Sequence, residues 1–256
     1  MVSLMADNAR PFYHELADHL SQNCNTGVRL VDDAGWLVLE RILDEGSADI
    51  GFICGLQYLH KPALELLAAP VMSGRRYGRR PIYFSDIVVA ESSRYQCFAD
   101  LAGGTLAYNE PTSHSGCNLI RFHIARLGRD ASFFGRVLES GSHQQSLNWI
   151  VDGIADVSAI DSTVLELEMN QRPELRSRLR IIETLGPSPI PPAVICRRTP
   201  AKMKREIQDV LLGMHQTDDG NRILDRWMML GFARVCDQDY EPIRRMEQTA
   251  LKTRFP

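Results

Sequence analysis

Apolar residues recur at helical spacing in four stretches: Phe12, Leu16 and Leu20; Leu39, Ile42 and Leu43; Leu147, Ile150, Val151 and Ile154; Ile207, Val210, Leu211 and Met214. Positions three and four apart share one face of a 3.6-residue helix, so each stretch predicts a helix with a single buried stripe. Short apolar runs lie between them, at 1–6, 28–31, 48–52, 82–90, 105–108, 157–160, 179–182 and 193–197. Their length suits strands covered on both faces, and strand alternating with helix predicts an α/β chain built on parallel sheet. Residues 186–192, G-P-S-P-I-P-P, break both periods. Proline lacks an N–H and restricts its predecessor, so this stretch predicts a stiff crossover that joins neither helix nor ladder.

One stretch carries chemistry as well as pattern. After the strand at 105–108 the chain reads N-E-P-T-S-H-S-G and then turns apolar at Leu119, Phe122 and Leu127. A strand, a hydroxyl-rich turn and a helix opening are thus consecutive. The first helical turn has unpaired N–H groups and the positive end of the helix dipole, so hydroxyls placed there complete a ring of donors for a tetrahedral oxyanion. On its own, such a turn is equally an ordinary serine cap. A second junction of the same kind follows at Gly141-Ser142-His143, and a third at Asp161-Ser162-Thr163. In open α/β sheets helix openings gather at the carboxyl ends of strands, where ligands bind.

The ordered segments A-D-I-G-F (48–52), P-T-S-H-S-G (111–116), G-S-H (141–143), A-D-V-S-A-I-D (155–161) and L-R-I-I-E-T-L-G-P-S-P-I-P (179–191) resemble the phosphonate-binding solute receptors of ABC transporters. The resemblance runs from the first strand to the helix beginning near Pro200. It implies the two-lobed type II periplasmic-binding-protein fold, each lobe a mostly parallel sheet flanked by helices, with residues 1–86 and 193–256 in lobe 1, 87–192 in lobe 2, and the ligand in a cleft between them. It implies Ser113, His114, Ser115 and His143 as contacts to the anion, with Trp36 and Tyr83 standing at the family's aromatic positions. Tyr58, after the 48–52 strand, is a third aromatic candidate. Asp161 is a nearby acid, and its place at a strand end predicts a cap on the next helix. Family members that take aminophosphonates hold the ammonium with two acids. Here one such position is Thr163 and the other falls at Pro191-Pro192, so the amine half of the site is missing. The expected ligand is a phosphonate, phosphate or related oxyanion without a free ammonium, and the expected partner is an ABC-transporter permease.

Composition narrows this without changing it. Charged residues make up 24% of 256 positions and the net charge is −3, with no basic stripe for nucleic acid. No apolar run is long enough to span a membrane. The opening M-V-S-L-M-A-D-N-A-R has no basic residue ahead of its apolar part, unlike a signal peptide, which predicts a cytoplasmic chain as it stands and a periplasmic one if an export signal was removed. Six scattered cysteines without C-x-x-C spacing predict neither disulfide nor metal, and no cofactor is called for. Four arginines crowd R-R-Y-G-R-R at 75–80, which reads as a solvated loop. Two other classes compete. A hydrolase using Ser142 with His143, or Ser115 with His114, lacks an orienting acid and a G-x-S-x-G elbow, and adjacent helical residues point apart. A cytosolic sensor of the same fold would couple ligand binding to a protein partner.

Overall fold

The computed structural model describes residues 1–253. The chain begins with β1 (Val2–Ser3), α1 (Arg10–Asn23), α2 (Trp36–Asp44), β2 (Ile50–Phe52), α3 (Gly55–Leu59) and β3 (Leu64–Met72). It continues through β4 (Ile82–Ala90), β5 (Thr105–Tyr108), α4 (Leu119–Arg126), β6 (Arg136–Glu139), α5 (His143–Val151), β7 (Val157–Asp161), α6 (Ser162–Gln171) and β8 (Leu179–Pro189). It ends with β9 (Ala193–Cys196), α7 (Ala201–Gly213), α8 (Asp218–Arg226), β10 (Met229–Ala233) and α9 (Glu241–Ala250). These elements form two compact units, the first from residues 1–82 with 189–241 and the second from 83–188 with 242–253. The sequence expectation placed 242–256 in lobe 1, whereas the described part of that segment packs with the second unit, where Met246 of α9 lies against its core.

In the first unit the strand order is β1-β2-β9-β3-β10. Only β1 and β2 run parallel. β9 is antiparallel to both β2 and β3, and β10 is antiparallel to β3. This sheet is therefore more mixed than the mostly parallel one expected, because β9 and β10 are returning segments threaded beside strands made earlier. Every residue of β2 and β9 is buried, as befits strands covered on both faces. The run at 28–31 is not a strand. It lies beside the N-terminus through two bonds, Met1 N to Arg29 O and Val31 N to Met1 O, too few for a ladder. Thr199, just ahead of α7, donates its hydroxyl to Asp49 at 3.0 Å.

In the second unit the order is β6-β5-β7-β4-β8, with β5 parallel to β6 and β7 and β4 antiparallel to β7. Alternation sorts its core into two layers. Ile87, Val89, Leu106, Val157 and Ala159 share one cluster with Leu119, Ile120 and Ile124 of α4. Val88 and Ile160 share the other with Leu147 and Ile150 of α5 and Leu165 of α6. Phe122 only flanks the first cluster, while Leu127 and Ile154 stand half exposed, so the helical stripes are narrower than the sequence suggested. β8 runs through Gly186-Pro187-Ser188-Pro189, contrary to the expected crossover. The reason is position: β8 is an edge strand, and an edge tolerates residues that cannot donate on its open side.

Candidate functional site

The hydroxyl-rich turn folds as a π-helical turn, His114–Asn118, running directly into α4. Asn118 N reaches back five residues to Ser113 O at 3.0 Å, which widens the first turn. Insertions of this kind are frequent at functional sites. Ser113 Oγ accepts from Gly116 N at 3.0 Å, so this serine is the cap, and its own O–H remains available to donate. Ser85, on β4, donates to Ser115 O at 2.8 Å and fixes the turn to the sheet. Ser142 caps α5 in the same way, accepting from Gln145 N at 3.1 Å, and delivers His143 to its first turn. The two openings meet: Ser115 Oγ lies 3.2 Å from His143 Nε2.

His114 does not join them. Its Nδ1 faces the Asn118 amide nitrogen at 3.0 Å, which can only donate, so the ring proton sits on Nε2 and is given to Ser188 Oγ at 3.0 Å. Its ring is fully buried and ties the turn to β8; the expected anion contact is corrected to a structural tie. Tyr83 is buried on β4 with its ring centroid 6.4 Å from that of His114. Asp161 caps α6 as its place at a strand end predicted, accepting from Thr163 N at 2.8 Å and from the Thr163 hydroxyl at 2.7 Å. Burial raises its pKa to about 6 despite these donors.

Trp36 and Tyr58 belong to the first unit. Trp36 opens α2 and lines a pocket of about 190 Å³ with Ser3, Asp7, Arg10, Tyr13 and Asp32. Tyr58 donates to Asp237 at 3.0 Å and packs edge-on against Tyr240, which accounts for it as a core tie of that unit.

Sequence reasoning missed Asn109, Gly116 and Gln144. Asn109 Oδ1, His143 Nδ1 and Gln144 Oε1 are buried without a hydrogen-bond partner. Buried polar atoms in native proteins are nearly always paired, so these three are unusual; the two amide oxygens can only accept, and His143 Nδ1 alone of the three can donate. Gly116 makes the close approach possible: a Cβ there would lie 1.9 Å from Asn109 Oδ1 and 3.1 Å from His143 Cε1.

Desolvation depresses the pKa of His143 to about 4 and that of His114 to about 3, so both are neutral at pH 7. The unfolded chain titrates near 6.5, so below that pH it takes up protons that the folded chain refuses, and stability falls with pH. The slope is roughly 1.4 kcal/mol per pH unit for each histidine. Asp161 acts oppositely: between about 6 and its ordinary 3.8 the folded form takes the proton first, offsetting one histidine. The empty protein should lose thermal stability steadily from pH 6.5 to 4.5, and His114→Asn should flatten the loss. A constant melting temperature across that range would contradict it.

The Ser115–His143 contact has the reach of a nucleophile–base pair. The nitrogen that an orienting carboxylate would hold, Nδ1, has no partner, and the depressed pKa makes the ring a poor base. Burial also lifts the nearby Cys117 thiol to about 11. What the arrangement does well is donate hydrogen bonds.

A family model described as the periplasmic substrate-binding protein of phosphonate ABC transporters matches residues 4–240. The chain belongs to that family. Its members are substrate-binding transport proteins, not enzymes. Among solved structures, a binding-protein component of a phosphonate ABC transporter from Pseudomonas aeruginosa superposes with a TM-score of 0.85 at 17% identity, covering 98% of this chain and 85% of its own. PhnD1 from Prochlorococcus marinus, solved in complex with methylphosphonate, gives 0.84 at 16% identity and covers 98% and 97%. Rpa4515 from R. palustris, solved with adipate, gives 0.68 at 10% identity and covers 98% and 97%. At such identities the superpositions show the type II binding-protein fold, shared by receptors of quite different ligands. Among the described residues no helix is long and apolar enough to cross a membrane.

Proposed function

We propose that this member of the phosphonate-binding family holds the anionic head of a phosphonate, or of phosphate or phosphite, on the second unit's paired helix openings, and delivers it unchanged to an ABC-transporter permease. The observation that carries the reading is the meeting of the two helix openings, where Ser115 Oγ lies 3.2 Å from His143 Nε2 and the buried Nδ1 of the same ring has no partner. Ser113, Ser115 and His143 are the contacts we assign. The methylphosphonate complex of the Prochlorococcus relative supports the ligand class.

In the empty protein these groups are neutral, so the incoming anion is first met by oriented dipoles. Hydrogen bonds to a charged group contribute roughly 1.5–3 kcal/mol each, and after ordering costs a handful brings the dissociation constant to about micromolar. Calorimetry against methylphosphonate, phosphate, phosphite and sulfate should give heat for at least one member; no heat for any would sink the reading. In the same series, 2-aminoethylphosphonate should bind no better than methylphosphonate, because Thr163 gives its hydroxyl to Asp161 and offers no acid. A tenfold preference for the amine, about 1.4 kcal/mol, would point to a carboxylate that has escaped notice.

A further inference from the structure

Every contact assigned to the anion is a donor, yet an acceptor stands among them. Asn109 directly follows β5, and its backbone O accepts from Gly141 N at 2.9 Å, which joins the strand end to the opening of α5. Its side chain is nine-tenths buried, with the residue 8% exposed, and Oδ1 receives no hydrogen bond. That oxygen lies against the π-turn beside His143: the point where a Cβ of Gly116 would stand is 1.9 Å from Oδ1 and 3.1 Å from His143 Cε1. The nearest backbone donor cannot serve it, because Gly116 N gives its hydrogen to Ser113 Oγ at 3.0 Å. An amide oxygen accepts and never donates, so it repels a bare anionic oxygen and attracts one that carries a hydrogen. Leaving such an atom buried and unpaired is costly, and a ligand that brings the missing hydrogen removes the cost.

We propose that Asn109 selects the ligand by its hydrogen: Oδ1 accepts from a P–O–H group of the bound oxyanion, while Ser113, Ser115 and His143 donate to its other oxygens. The class that fits is a phosphorus oxyanion that keeps a hydroxyl, as singly charged phosphonate and phosphate do. Fully ionised sulfur oxyanions of the same shape have no hydrogen to give and leave Oδ1 unpaired. A site built around a polar partner rejects an analogue that lacks it far more strongly than a missing apolar contact would allow. The role given to Asn109 rests on the oxyanion reading of the same two helix openings.

The test compares methylphosphonate with methanesulfonate by calorimetry on the full chain near pH 6. There both ligands are singly charged and alike in shape, and they differ by one hydrogen. Methylphosphonate should bind the tighter by at least tenfold. Asn109→Ala should remove most of that preference, because methylphosphonate loses a partner that methanesulfonate never had. A general loosening of the turn would weaken both ligands alike, so the ratio separates selection from support. Asn109→Asp keeps an acceptor at the same place and should retain the preference, which also decides the matter if the alanine variant does not fold. Equal affinities in the parent, a preference undiminished in Asn109→Ala, or a preference lost in Asn109→Asp overturns the role of Asn109 and leaves the oxyanion site standing. No heat from either ligand with the parent overturns both.

Discussion

Gly116→Ala is expected to abolish methylphosphonate binding, by at least a hundredfold, in a protein that still folds. The added methyl would fall 1.9 Å from Asn109 Oδ1 and 2.9 Å from its Cγ, closer than atoms can approach, and 3.1 Å from His143 Cε1. Either the Asn109 amide swings away or the π-turn retreats, and each movement separates the two helix openings. Forcing a methyl into a packed site costs about 1–3 kcal/mol of stability. For a chain this size that corresponds to a melting temperature lower by about 2–4 °C per kcal/mol. Gly116 has no left-handed requirement, so the effect is purely one of space. Gly213→Ala is the matched control, since a Cβ there meets nothing within 4 Å at the end of α7, and it should leave both measurements nearly unchanged. If Gly116→Ala binds methylphosphonate as the parent does, the anion is not held at the π-turn.

His143 should show the second large effect, and it should be visible as protons. In the empty protein the ring is neutral, with Nε2 on Ser115 and Nδ1 bare. A bound dianion favours the imidazolium, which offers two donors and a positive charge. Binding should then take up to one proton near pH 6, and affinity should weaken as pH rises through the raised bound-state pKa. Calorimetry in buffers of different ionisation heat counts that proton directly. Methanesulfonate, which does not titrate in the range, separates the histidine's contribution from the ligand's own. His143→Gln keeps a donor and should lose the proton uptake, while His143→Ala should lose roughly 10- to 150-fold in affinity, the worth of one hydrogen bond to a charged group. Equal proton counts for the parent and the glutamine variant would reduce His143 to a helix-opening residue.

The helical stripes of α1, α2 and α5 could be read along the chain because each is a local repeat. The same was true of Ser113, Ser115 and His143, whose helix openings are marked by neighbours within a few residues. β3 and β10 escaped because an apolar run such as L-E-L-L-A-A-P-V-M has no period that separates strand from helix. The strand character of 186–189 escaped for a different reason: whether prolines are tolerated depends on lying at a sheet edge, a fact set by strands far away in the chain. His114 shows the same limit within the site. Its partner, Ser188, lies 74 residues on, and nothing near either residue announces the pair. The unpaired atoms of Asn109 and Gln144 are visible only once burial is known.

The division of the chain sets an order on its making. The first unit needs residues up to 241, and the second takes α9 onto its core, where Met246 packs beside residues made far earlier and Arg121 bonds Thr253 O. A ribosome releasing residues from the N-terminus therefore cannot complete either unit until the last tenth or so of the chain emerges, at the few residues per second typical of synthesis. Contacts this distant in sequence also close slowly. For most of its synthesis the nascent chain has two open cores, a state in which chaperones can bind it and a translocation channel can still thread it.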